Sequence, residues 1–111
     1  MLSCELLDNL NKYISIINPP IIEGISGVKH QFYLIGKIKN SIQKEEFVVV
    51  DYCEDEQSLL QFFIKSIDVK SKLKIAICKN ITEEMKKFSS LCNIFLIRSI
   101  EDIIKVIKEN L

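Results

Sequence analysis

Several features that would place the chain in a functional class are scarce or missing. Its 111 residues contain no tryptophan, one histidine, three glycines and two prolines. There is no Walker loop, no GxGxxG motif, no internal repeat and no low-complexity segment. Basic and acidic side chains balance at 15 of each, whereas a dedicated non-specific DNA-binding protein usually carries net positive charge. Any nucleic-acid contact would therefore depend on a local basic patch.

Membrane and export signals are also lacking. No apolar run approaches the ~18 residues of a membrane span, and the N-terminal segment contains acids where a signal peptide needs basic residues. We therefore expect a soluble, cytoplasmic protein without a membrane partner. Because 48% of the residues are hydrophobic, residues 1–111 can form one compact domain with its own core.

The cysteines do not form a recognisable metal motif. Cys4, Cys53, Cys78 and Cys92 include no CxxC pair, and His30 is the single histidine. A structural zinc site needs four nitrogen or sulfur ligands, usually in close pairs. We therefore expect free thiols, mostly buried in apolar surroundings, and no disulfide, which is unusual in the cytosol.

Apolar periodicity predicts nine elements in the order α-β-β-β-α-β-α-β-α. The first helix covers residues 3–17. The second and third strands are expected to form a hairpin across a polar turn at residues 40–44, and the later strand–helix–strand alternation implies parallel pairing. The helix after the third strand is so apolar that we expect it to be largely buried. The predicted strands are residues 21–25, 29–39, 46–53, 72–78 and 93–97.

The most informative stretch runs from Gly24 to Cys53. It contains a glycine-bracketed loop, a strand, a turn and a second strand. The segments GISGVKHQFY (24–33) and VVVDYC (48–53) resemble the G-x-SG-x-x-H-x-FD and VVVD-x-K segments of small archaeal members of the restriction-endonuclease-like, or PD-(D/E)xK, superfamily. The resemblance implies an α/β fold: an α-β-β-β-α-β core with additional α-β-α elements, and a mixed central sheet flanked by helices.

The resemblance also implies where a nuclease site would lie. Mg²⁺-dependent phosphodiester cleavage needs carboxylates from neighbouring strands, and in this superfamily a lysine two residues after the second acid. Here Tyr33 takes the first acidic position, Asp51 the second and Cys53 the lysine position, while Glu23 would be a further acid. Tyrosine cannot replace a carboxylate ligand, and a thiol cannot replace an ammonium group. We therefore expect a degenerate site without catalytic residues or a cofactor.

A relocated lysine would be the route by which activity survives. Lys29 and Lys37 are the candidates, and Lys37 is the better one because strand alternation puts it on the face of Tyr33. Asp51 and Glu23 would then bind Mg²⁺. The alternative is that both lysines are simply solvated.

The same region supplies candidate nucleic-acid contacts. Lys29, His30, Lys37 and Lys39 cluster around the predicted hairpin and could contact phosphate; alternatively the lysines are solvated and His30 packs at a strand start. Asp51 lies in an apolar strand, where an unpaired ionised carboxylate is costly. It must therefore be exposed at the strand end, paired with a lysine, or neutral.

The favoured function is a catalytically inactive nuclease-like domain that serves as a nucleic-acid-associated or protein-interaction module. The alternatives are an active Mg²⁺-dependent DNA endonuclease or exonuclease with a relocated lysine, and a pure protein-assembly domain. DNA and a protein both stay open as partners. A homodimer is also open, since dimers are common among the nucleases that the chain resembles, but the sequence does not show which face would pair.

Overall fold

The computed structural model describes residues 2–39 and 45–111. It contains four α-helices and seven strands within those ranges, and the predicted turn at residues 40–44 lies outside them. The elements are, in chain order, α1 (Cys4–Leu10), β1 (Ile14–Ile16), β2 (Ile21–Glu23), β3 (Lys29–Gln31), β4 (Leu34–Ile38), β5 (Phe47–Tyr52), α2 (Glu56–Asp68), β6 (Leu73–Ile77), α3 (Glu83–Cys92), β7 (Ile94–Ile97), a 3₁₀ turn (Ile100–Asp102) and α4 (Ile103–Asn110).

The central sheet has five strands in the order β1-β4-β5-β6-β7. β1, β4 and β5 are antiparallel neighbours, whereas β5, β6 and β7 are parallel and are joined by α2 and α3. β2 and β3 form a separate two-stranded sheet. The expected α/β class, mixed central sheet, antiparallel β4–β5 pair and parallel strand–helix–strand units are thus confirmed.

The sheet separates two hydrophobic cores. Val48 and Val50 of β5 point into the core shared with α1 and α4, and Val49, between them, points into the core shared with α2 and α3. All three valines are fully buried. This alternation explains the β-branched run, because a central strand must be apolar on both faces when both are covered by helices. None of the helices in the described ranges is long and apolar enough to span a membrane.

The predicted first helix is wrong beyond its first two turns. Ser3 caps α1 by accepting the N–H of Leu6 at 3.1 Å, but the helix ends at Leu10 and Ile14–Ile16 form a strand against β4. Ile14 packs over Gly36, where an added Cβ would lie 2.3 Å from the Ile14 Cδ1 atom. Sheet pairing and this close contact outweigh the helical spacing of the apolar residues.

The predicted strand 29–39 is in fact two strands in different sheets. β3 pairs with β2, and β4 pairs with β1 and β5, while the chain turns at residues 32–33 between them. Phe32 consequently packs with the α2–α3 core, and Tyr33 packs against the α1–α4 core. The expectation that Tyr33 and Lys37 share a face is therefore wrong, because the side-chain alternation is interrupted.

The second helix is less buried than its composition predicted. It begins with a capping box, in which Asp55 accepts the Ser58 N–H at 2.8 Å and Ser58 Oγ accepts the Asp55 N–H at 3.1 Å. Its residues Leu59, Phe62 and Ser66 are buried. Three large apolar side chains of the helix nevertheless face solvent: Leu60, Ile64 and Ile67.

Candidate functional site

Asp51 is the acid that the sequence singled out, and it lies near the end of β5 on the side of α2. Its side chain is 19% exposed. Oδ1 accepts a hydrogen bond from the backbone N–H of Tyr33 at 2.8 Å, and Oδ2 accepts one from the ammonium group of Lys65 at 2.7 Å. Of the three possibilities open for Asp51, the structure shows pairing with a lysine, which offsets the cost of placing a carboxylate in an apolar strand.

Lys65 joins three parts of the fold. Besides Asp51, its ammonium group donates to the carbonyl of Gln31 at 2.7 Å, and it lies 4.5 Å from the centroid of the Phe32 ring, within the range of a cation–π contact. One side chain of α2 thus binds the end of β5, the end of β3 and the turn into β4. The arrangement fixes α2 against the sheet beside Asp51.

Asp68, one turn beyond Lys65, organises a second polar cluster. Its Oδ2 accepts the hydroxyl of Ser26 at 2.6 Å and lies 2.6 Å from His30 Nε2, while Oδ1 accepts the Ser26 N–H at 3.0 Å. The hydrogen bond from the Ser26 hydroxyl, followed by that from His30, lowers the pKa of Asp68. The carboxylate stands between serine and histidine, whereas a hydrolytic triad places the histidine in the middle. The cluster therefore serves to hold the loop 24–28.

A side chain at Gly24 would conflict with Asp68 where the loop meets α2. A Cβ added at Gly24 would lie 2.0 Å from Asp68 Oδ2, so the carboxylate, which is bound by Ser26 and His30, would have to move. The Ile25 N–H also donates to the Asp68 carbonyl at 2.9 Å. The glycine of the family-like motif thus allows the loop to approach the end of α2.

Tyr33 and Cys53 contribute no metal-binding group beside Asp51. The Tyr33 ring packs edge-on against Tyr52, with 4.7 Å between ring centroids, on the α1–α4 side of the sheet. Cys53 is 2% exposed. Burial, with smaller contributions from Cys78 and Asp51, raises its pKa to about 12, so the thiol is neutral at physiological pH.

The remaining candidates are distributed over the molecule. Glu23 and Lys29 lie opposite each other in the β2–β3 pair. Lys37 is paired with Glu45 at 3.1 Å, at the end of β4 remote from Asp51. Lys39 donates to the Asn11 carbonyl.

The four candidate nucleic-acid contacts therefore form two groups. Lys29 and His30 lie on β3, and His30 is itself part of the Asp68 cluster. Lys37 and Lys39 lie at the far end of β4. They do not constitute one continuous patch.

Sequence reasoning missed Lys65, Asp68 and Ser26. Lys65 and Asp68 belong to a polar stripe on an otherwise apolar helix, and a half-buried acid in an apolar strand, such as Asp51, favours a nearby cation. Those two signals together could have suggested the ion pair. They do not identify which lysine, because 14 positions separate Asp51 from Lys65.

The residues present fit a Mg²⁺ site poorly. Both oxygens of Asp51 are engaged, and the Tyr33 side chain lies on the other face of the sheet. Within residues 2–39 and 45–111, no three His, Cys, Asp or Glu side chains come together as a ligand group.

Comparison with known proteins returned no relative: no protein-family model, no curated protein and no solved structure matches the chain.

Proposed function

We propose that the chain is a catalytically inactive, restriction-endonuclease-like domain that acts as an interaction module for nucleic acid or protein. The proposal rests on one observation above all. Asp51, which the resemblance would make a metal ligand, has both carboxylate oxygens in structural contacts: Oδ1 accepts a hydrogen bond from the Tyr33 N–H and Oδ2 from Lys65.

The order of elements supports the nuclease-like part of the proposal. α1, β1, β4, β5, α2 and β6 follow one another as α-β-β-β-α-β once the small β2–β3 hairpin is treated as an insertion after the first strand. α3, β7 and α4 then supply the additional α-β-α elements. Fold and function are separable, so the functional part depends on the site.

The chemistry of the Asp51 pair supports the inactive part. A hard divalent cation needs carboxylate oxygens with free lone pairs. To bind at Asp51 it would compete with an ammonium group 2.7 Å away and would find no second carboxylate from Tyr33. The carboxylate is therefore better suited to hold α2 on the sheet than to hold a metal.

The same pair gives the active alternative its best argument. A relocated lysine is what that alternative requires, and Lys65 stands beside Asp51, whereas Lys37 is paired with Glu45 at 3.1 Å. If the chain cleaves DNA, Lys65 is the lysine that would act with Asp51.

A cleavage assay separates the two. Purified protein is incubated with single-stranded, duplex and branched DNA in Mg²⁺ and in Mn²⁺. We expect no metal-dependent products from the wild type. Metal-dependent cleavage that Asp51→Ala and Lys65→Met abolish, but the control Lys37→Met retains, would establish the nuclease.

Binding is tested separately, because an inactive domain can still contact DNA. Phosphate contacts made by lysines weaken as salt rises. We expect DNA affinity at low salt that falls as salt is added, with Lys29→Glu weakening it. No DNA binding even at low salt would favour the alternative of a pure protein-assembly domain.

A further inference from the structure

Two of the four free thiols face each other across neighbouring parallel strands. β5 and β6 pair in parallel up to Tyr52, which lies opposite Ile77. The Cys53 N–H donates to the Ile77 carbonyl at 3.0 Å and continues this register beyond the end of β5. Cys53 and Cys78 are the next residues of the two paired segments, so they lie opposite each other.

The side chains of this cysteine pair lie on the same face of the sheet. Cys53 and Cys78 both belong to the core shared with α2 and α3, and they are 2% and 0% exposed. Neighbouring strands are about 4.8 Å apart, which falls within the range of ~4.4–6.8 Å between the Cα atoms of a disulfide. Each cysteine follows the last residue of its strand, where the ladder constrains the backbone less. The two sulfurs can therefore be joined without a change of fold.

The surroundings of the two thiols differ. Cys53 forms part of the wall of an open cavity of about 510 Å³ at the carboxyl ends of β5 and β6, together with Tyr52 and Lys79. Its Sγ lies 3.8 Å from the Ser58 carbonyl in the first turn of α2. Cys78 is fully buried and is not part of that wall. A small molecule that enters the cavity would therefore reach Cys53 first.

We propose that Cys53 and Cys78 are a redox-active pair, which a low-molecular-weight disulfide such as oxidised glutathione converts reversibly into a disulfide bond between β5 and β6. The Cys53 thiolate attacks one sulfur of oxidised glutathione and releases one glutathione thiolate. The Cys78 thiolate then attacks Cys53 Sγ and releases the second. The two cysteines give up two protons and two electrons, and oxidised glutathione becomes two thiols.

Burial makes each thiol of the pair slow to react alone. It raises the pKa of Cys53 to about 12 and also raises the pKa of Cys78, so little thiolate is present at neutral pH. The pairing compensates for this, because the second sulfur is held beside the first and the closing step is intramolecular. The bond would close the segment of residues 53–78, which contains all of α2.

The proposal goes beyond the proposed function and does not depend on it. Cleavage and DNA binding test the proposed function, whereas formation of the bond is tested by peptide mapping, so either can fail without the other.

The variant Cys4→Ser/Cys92→Ser keeps only the proposed pair and allows a direct test. Native protein is incubated in mixtures of reduced and oxidised glutathione, the remaining thiols are blocked, and the protein is digested with trypsin without reduction. We expect residues 45–65 to be joined to residues 75–79, with the loss of two hydrogen atoms from a single chain. Excess reduced glutathione should separate the two peptides again.

The matched control is Cys53→Ala/Cys78→Ala, which also keeps two thiols. Its Cys4 begins α1 and its Cys92 packs against the core shared with α2 and α3, so the sheet lies between them. The proposed pair should form its bond at least about tenfold faster than the control forms one within a chain. Circular dichroism establishes that both variants are folded.

Three results would overturn the proposal. The first is a native Cys53–Cys78 pair that stays reduced in a glutathione mixture that joins the same two residues in the urea-unfolded chain. The second is a product that stops with glutathione on one cysteine or joins two chains, because the two sulfurs are then not within reach of each other. The third is a control that forms its bond as fast as the pair, because unfolding would then explain both.

Discussion

Two carboxylates tie α2 to the rest of the molecule, and they do so in different ways. Asp51 comes from the sheet and binds Lys65 of the helix, so its charge is neutralised by a cation. Asp68 comes from the helix and binds Ser26 and His30 of the loop and hairpin. Both side chains are 19% exposed. Asp51 lies in the segment that resembles a nuclease motif and Asp68 lies outside it, yet both carboxylates hold α2 in place. Position in such a segment therefore does not by itself identify a metal ligand.

Among these variants, the one that removes the Asp51 carboxylate should lose the most stability. Asp51→Ala leaves the Lys65 ammonium and the Tyr33 N–H without this acceptor, so we expect the free energy of unfolding to fall by about 2 kcal/mol. Urea denaturation monitored by circular dichroism measures it. A variant as stable as the wild type would mean that the pair contributes nothing net.

The Asp68 cluster can be broken from the loop side. Gly24→Ala places a Cβ where Asp68 Oδ2 lies, so the carboxylate must move and its bonds to Ser26 and His30 must weaken. We expect the melting temperature to fall by about 5 °C. In an Asp68→Ala background the same substitution should have almost no effect, because the clash is gone. An equal loss in both backgrounds would contradict this origin.

The smallest predicted effect is the loss of stability at low pH. Hydrogen bonds hold the pKa of Asp68 below its ordinary value of 3.8, so its contribution to stability is complete above that value and is lost as the pH falls below it. From about pH 5 to about pH 3, the wild type should therefore lose stability more steeply than Asp68→Asn. Melting temperatures across this range provide the measurement, and parallel curves would show that Asp68 is not responsible.

The sequence predicted well where one local signal was sufficient. The strand expected at residues 46–53, which contains the buried run Val48–Val50, and the strand–helix–strand alternation both came out as expected. Each of these depends on neighbouring residues or on alternation within a single strand, which can be read along the chain.

The failures arose where partners distant in sequence decide the outcome. Ile14–Ile16 have helical spacing with α1, but they become a strand because β4 offers them an edge. The strand expected at 29–39 is divided because its two halves pair in different sheets. Lys65 was missed for the same reason, since only the folded chain brings it to Asp51. Burial of α2 was overestimated because composition does not show which neighbours cover a helix.

The central claim is that Asp51 and Lys65 are partners in the structure, and a double-mutant cycle tests it most directly. Urea unfolding of the wild type, Asp51→Ala, Lys65→Met and the double variant gives their coupling energy. Methionine keeps an unbranched apolar side chain at this position while removing the charge. We predict a favourable coupling of about 1–2 kcal/mol and a loss of stability on Asp51→Ala. Additive effects, together with a gain in stability on Asp51→Ala, would contradict the account and point to an acid retained for function at a cost in stability.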